Sequence, residues 1–182
     1  MSTPFPGYSG PVAGTEAPLE MLAACHIRIE KQCATLLRLT DHLKKNGSDS
    51  QARKAATAIM RYFDTAAIDH HADEETDLFP ALLESMAGSD AVCIREITDG
   101  LIEDHRKLER SWRRLRLTLE KVVAGENVLL NADTVVAFTS LYAEHIQREE
   151  DELLPMAARL LGVTELDAIG RAMRERRGIE AV

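Results

Sequence analysis

His70-His71-Ala72-Asp73-Glu74-Glu75-Thr76-Asp77-Leu78-Phe79-Pro80 is the stretch on which the reading of this chain turns, because it returns at 145–155. There it reads His145-Ile146-Gln147-Arg148-Glu149-Glu150-Asp151-Glu152-Leu153-Leu154-Pro155. In both copies a glutamate follows the histidine by four residues, and a proline follows the histidine by ten. A spacing of four puts two side chains on one helical face. A glutamate turned into an apolar core protonates or stays outside. Coordination to a cation lets it remain ionised there.

Outward from these copies, apolar residues repeat by threes and fours. The first pattern, Pro18 to Lys45, carries Leu22, His26, Ile29, Cys33, Leu36, Thr40 and Leu43, and stops at Asn46-Gly47-Ser48. The second, Asp49 to Met86, carries Ala56, Ile59, Phe63, Ala66, His70 and Glu74. The third, from Asp90 to Gly125, carries Ile94, Thr98, Leu101, His105, Leu108, Trp112, Leu115, Leu119 and Val122. The fourth starts near Asn131, meets Pro155, and carries Val135, Phe138, Tyr142, His145, Glu149, Glu152 and Met156. A short amphipathic piece from Thr164 to Arg177 follows. Such stripes with short connections predict an all-α fold, an antiparallel up-down-up-down four-helix bundle. The predicted organisation is a flexible leader over 1–17, the bundle over 18–160, and a short C-terminal helix and tail over 161–182.

Each stripe holds one histidine: His26, His70, His105 and His145. One core histidine is ordinarily a hydrogen-bonded packing residue. Four imidazoles converging from four helices are costly without a shared partner, and a metal is the usual one. The halves also repeat at larger scale, since 44 residues separate His26 from His70 and 40 separate His105 from His145. A pseudo-twofold bundle of this kind builds a two-metal site, with two histidines and one glutamate from each half. Mixed imidazole and carboxylate suits iron, manganese or zinc rather than calcium or magnesium.

Composition narrows the partners. A net charge of −8 argues against nucleic acid as the main partner, since phosphate binding needs a basic surface, and no apolar run is long enough to cross a bilayer. Residues 1–14 lack the basic start and apolar run of a signal peptide. Cys25, Cys33 and Cys93 form no CxxC pair, so free thiols in the cytoplasm are expected. Cys33 lies in an apolar stripe as a packing residue.

A lone histidine on helices one and three, with H-x3-E-E-x3-[LF]-P on helices two and four, resembles the hemerythrin-like, or HHE cation-binding, family over roughly residues 20 to 160. The resemblance implies a non-haem di-iron centre bridged by oxo, hydroxo or water. It makes His26, His70, His105 and His145 terminal ligands and Glu74 and Glu149 bridging ones. Unlike the oxygen-carrying members, with H-x3-H on helix three and H-x4-D on helix four, this chain has Glu109 after His105 and Glu149-Glu150 after His145. Six protein ligands leave positions open to dioxygen, nitric oxide or peroxide. The implied function is binding or sensing of such a ligand or of redox state. The alternative is a di-iron oxidoreductase, or a protein that repairs iron–sulfur clusters or donates iron under oxidative or nitrosative stress.

Several neighbours need separate readings. Glu30 and Glu109 also follow their histidines by four, but Arg28, Lys31, Arg106 and Lys107 around them favour solvated salt bridges, with support of an imidazole as an intermediate role. His71 pairs with Glu75 one step off the stripe. The repeat selects His70, because position 146, opposite His71, is isoleucine. Glu150, Asp151 and Glu152 read as a solvated face and His42 as a surface histidine. Tyr142 and Phe63 read as packing around the site. The basic run Arg171, Arg174, Arg176 and Arg177 packs on the acidic bundle or frays into solvent.

Overall fold

The computed structural model describes residues 17–85 and 91–179. The leader expected over 1–17, apart from Ala17, and the turn expected at Gly88-Ser89 lie outside the described residues. Within them the chain is helical, without a strand, and no helix is long and apolar enough to cross a membrane.

Helix α1 (Pro18–Asn46) starts with proline in its first turn, where the missing N–H costs nothing. Gly47, at φ +64°, ends it, its N–H bonding back to the Leu43 carbonyl. Helix α2 (Ser50–Phe63) is capped by the Asp49 carboxylate, which accepts from the Ala52 N–H at 2.8 Å. The single helix expected from Asp49 to Met86 is in fact broken after Phe63, and α3 (Ala66–Ala72) restarts beyond Asp64 and Thr65. Side chains compete with the helical ladder at this break. Asp64 accepts from Trp112 Nε1 at 2.9 Å and from Arg116 Nε at 2.9 Å, while Thr65 Oγ1 donates to the Arg61 carbonyl at 2.7 Å.

Two stretches leave the α-helical ladder. Residues Asp73–Leu78 and Glu149–Leu153 are π-helical. Pro80 and Pro155 have no N–H to donate, and their rings collide with the carbonyl four residues back. The ladder therefore shifts to bonds spanning five residues: Phe79 N–H reaches the Glu74 carbonyl, and Leu154 N–H reaches the Glu149 carbonyl. Such turns recur at functional sites. Helices α4 (Phe79–Ser85) and α7 (Leu154–Leu160) continue beyond them.

Helix α5 (Ala91–Val123) packs on α2 and on α6 (Ala132–Arg148), and α1 packs on α2 and α6. Two apolar clusters fill the interior. One gathers Ile29, Leu36, Leu43, Ile59, Phe63, Leu108, Trp112, Leu119, Phe138 and Tyr142. The other gathers Leu19, Leu22, Leu78, Phe79, Leu82, Ile94, Leu101, Leu153 and Leu154. Along every long helix the stripe histidine falls where one cluster gives way to the other, so a polar layer separates them. Helix α8 (Val163–Arg176) lays Ile169 and Met173 into the second cluster. Of the basic run, Arg176 and Arg177 pack rather than fray. Both donate to the fully buried Asp73 carboxylate, Arg177 Nη2 at 2.6 Å, and Arg176 Nη2 also reaches Asp77 at 2.8 Å.

Candidate metal centre

The polar layer brings together all six of the expected residues, each at most 1% exposed. Their arrangement is crossed. Glu74 Oε1 lies 3.4 Å from His70 Nε2, and its Oε2 lies 3.3 Å from His105 Nε2. Glu149 Oε2 lies 3.1 Å from His26 Nε2, and its Oε1 lies 3.0 Å from His145 Nε2. Each carboxylate thus splits its two oxygens between the histidine pair of the first half and that of the second. Two four-residue clusters result, His26–His70–Glu74–Glu149 and Glu74–His105–His145–Glu149, with both glutamates shared.

Among the described residues the ion-pair partners of these two carboxylates are histidines. His26 Nε2, His70 Nε2 and all four oxygens of Glu74 and Glu149 are buried without a hydrogen-bond partner, although they approach one another closely. Buried polar atoms rarely stay unsatisfied, and buried charge needs a counter-ion. Donor atoms facing one another around a shared centre fit a cation, and two nitrogens with two oxygens suit a transition metal.

The titration behaviour reflects the same crowding. Burial and the neighbouring Glu149 carboxylate push Glu74 well above the usual carboxylate range. At Glu149 burial acts in the same direction, but His145 and His26 outweigh it and hold the group well below that range. Burial opposes a charge on His26, yet Glu149 and Glu150 outweigh it and raise the imidazole to about 9. Burial and the adjacent His26 hold His70 well below the ordinary histidine value, while burial and His145 lower His105.

A second layer orients two of the imidazoles. His105 Nδ1 donates to Glu75 Oε1 at 2.7 Å, and His26 Nδ1 donates to Glu150 Oε1 at 3.2 Å. Each bond fixes the tautomer that leaves Nε2 facing the centre. Glu150 is therefore an imidazole partner rather than part of a solvated face, and Glu75 serves His105 rather than His71. The π-helical turns explain how this happens. A turn closed by five-residue bonds winds fewer degrees per residue than an α-turn, so consecutive glutamates diverge less. Glu74 and Glu75 both reach His105, and Glu149 and Glu150 both reach His26. The doubled Glu-Glu of the repeat was the sequence signal for this role.

A family model for the hemerythrin HHE cation-binding domain matches residues 17–157. The chain belongs to this family. A Haemophilus influenzae protein, itself described only as uncharacterized, is 32% identical over 163 residues, covering 90% of this chain and 91% of that one. In this hemerythrin-family chain the other sequence candidates lie outside the layer. Glu30 is exposed, and exposed Glu109 pairs with Arg113. His42, 26% exposed, pairs with Asp49 at 2.9 Å. Cys33 is buried in the core as expected. Phe63 packs on Trp112, Phe138 and Tyr142.

Proposed function

We propose that this chain is a non-haem di-iron protein that binds or senses dioxygen, nitric oxide or redox state. The observation that carries the reading is the crossed pair of buried glutamates, each offering one oxygen to each histidine pair. In this reading His26 and His70 hold one iron, His105 and His145 hold the other, and Glu74 and Glu149 bridge them. Bound there, the irons supply reversible redox change and open coordination positions. In the same reading the described residues between 18 and 160 make an antiparallel up-down-up-down bundle, and those between 161 and 179 close it. The order in which each helix passes between the two apolar clusters supports that topology, since it reverses from one long helix to the next. The cysteines Cys25, Cys33 and Cys93 are free thiols, which favours a reducing compartment such as the cytoplasm.

Metal analysis of protein prepared with iron available tests the reading directly, with about two irons per chain expected and none overturning it. A proton count tests it independently. At pH 7 the metal-free centre carries a proton on His26, raised to about 9, and Glu74 is held above its usual range. Ligands must be deprotonated to bind, so loading at pH 7 releases protons, that of His26 among them. Both groups hold their protons more tightly than usual, so affinity rises as pH increases through their range. Titration in weak buffer with an indicator dye measures the release, and uptake without release contradicts the assignment.

The imidazole partners give a graded test. Glu75→Ala and Glu150→Ala each weaken iron binding by about 10- to 100-fold in competition with a chelator. Glu109→Ala, altering an exposed residue, leaves it unchanged. Equal affinities in all three variants would remove Glu75 and Glu150 from the centre.

A further inference from the structure

One of the differences between the two halves lies directly beside the centre. The second half has Ile146, buried at 3% exposure, where the first has His71. The His71 ring stacks on His105, with centroids 4.0 Å apart and planes 14° from parallel. One of its ring nitrogens lies within 4.8 Å of ring nitrogens of both His105 and His145. Its Nε2 is buried and has no hydrogen-bond partner.

Proximity invites a ligand role for His71, but the ring orientation opposes it. An imidazole lone pair lies in the ring plane. Two stacked, nearly parallel rings therefore keep their lone pairs in separate, nearly parallel planes rather than aiming both at one ion. The rings of His105 and His145, inclined at 68°, do not have this difficulty. His71 stands beside the second cluster without joining it.

It also lines an opening. A cleft of about 620 Å³ is lined from both sides of the helix break at Asp64 and from α5 and α6, its lining including His71, His105, Tyr142, Phe63, Leu108 and Trp112. The charges at its rim are paired: Arg106 with Glu75, Arg113 with Glu109, and Arg116 with Asp64. Aromatic and aliphatic walls below neutralised charges favour a small uncharged molecule over an anion. The matching position of the other half is filled by isoleucine.

We propose that this cleft admits a small uncharged diatomic molecule to the Glu74–His105–His145–Glu149 cluster, and that His71 hydrogen-bonds it there. The two metal positions are then unequal, with exogenous ligand taken at the second. This inference rests on the di-iron reading above. A neutral imidazole carries one N–H, which suits it to donate a single hydrogen bond.

Nitric oxide is the probe, added to reduced, iron-loaded protein, with iron content measured first. His71→Leu keeps wild-type iron, speeds nitric oxide dissociation about tenfold, as loss of one hydrogen bond implies, and shifts the N–O stretching frequency. His71→Gln, which keeps an N–H donor, restores much of both. In the unsubstituted protein, transfer to heavy water shifts the same frequency, so the inference remains testable should either variant fold poorly. Unchanged dissociation and frequency in His71→Leu at full iron content overturn it. Loss of iron in that variant also overturns it, by making His71 a ligand. A wild-type chain that takes up no iron overturns the di-iron reading and this inference together. Normal iron with no heavy-water shift overturns this inference alone.

Discussion

Glu149→Ala is expected to lose iron at both positions, not one. Each oxygen of Glu149 faces a different histidine pair, Oε2 with His26 at 3.1 Å and Oε1 with His145 at 3.0 Å. Removing the side chain therefore takes a donor from both four-residue clusters. Loss of an imidazole partner alone costs about 10- to 100-fold in metal affinity, and loss of a direct, doubly shared donor exceeds that. His70→Ala is the contrast, since it strips one cluster and leaves His105, His145 and both glutamates in place. Metal analysis should give near zero irons per chain for Glu149→Ala and about one for His70→Ala. Glu152→Ala, on an exposed residue, should match the wild type. One tightly held iron in Glu149→Ala would show that the carboxylate serves one position only.

Phe63→Ala carries the largest expected cost in stability. The ring is 2% exposed and sits among Trp112, Phe138 and Tyr142 at centroid distances of 4.9, 5.3 and 5.5 Å. It closes α2 just before the break, so its neighbours come from α5 and α6 and cannot all move into the space. Phe-to-Ala changes at such sites cost about 3–5 kcal/mol, transfer and cavity contributions together. For a chain of this length that lowers Tm by roughly 10 °C. The measurement belongs on metal-free protein, where ligand-linked stabilisation does not mask it. A fall of only a degree or two would mean that the aromatic cluster repacks freely.

The residues that converge were legible because they obey two independent regularities. His26, His70, His105 and His145 sit on three-and-four stripes, and Glu74 and Glu149 hold matching places in a repeated motif. Either regularity depends on local spacing, which a helix converts directly into a shared face. The parts that escaped depend on partners distant in sequence. The break at Asp64 needs Trp112 and Arg116 to draw its carboxylate away, and they lie 48 and 52 residues further on. The role of Glu150 needs the wider turn imposed by Pro155, since α-helical spacing turns it away from the stripe. The position of His71 was read from the isoleucine opposite it, which favours His70 but says nothing of a ring stacked beside the layer.

The grip of Arg176 and Arg177 on Asp73 has a consequence for how the protein is made. Asp73 adjoins Glu74, and its partners emerge from the ribosome roughly a hundred residues later. While α8 is still unmade, every residue of the polar layer already exists, but a carboxylate beside it lacks its guanidinium partners. Synthesis of α8 supplies both the compensating charge and the apolar cover of Ile169 and Met173. Closure of this end of the bundle thus waits on a helix that contributes none of the six clustered residues.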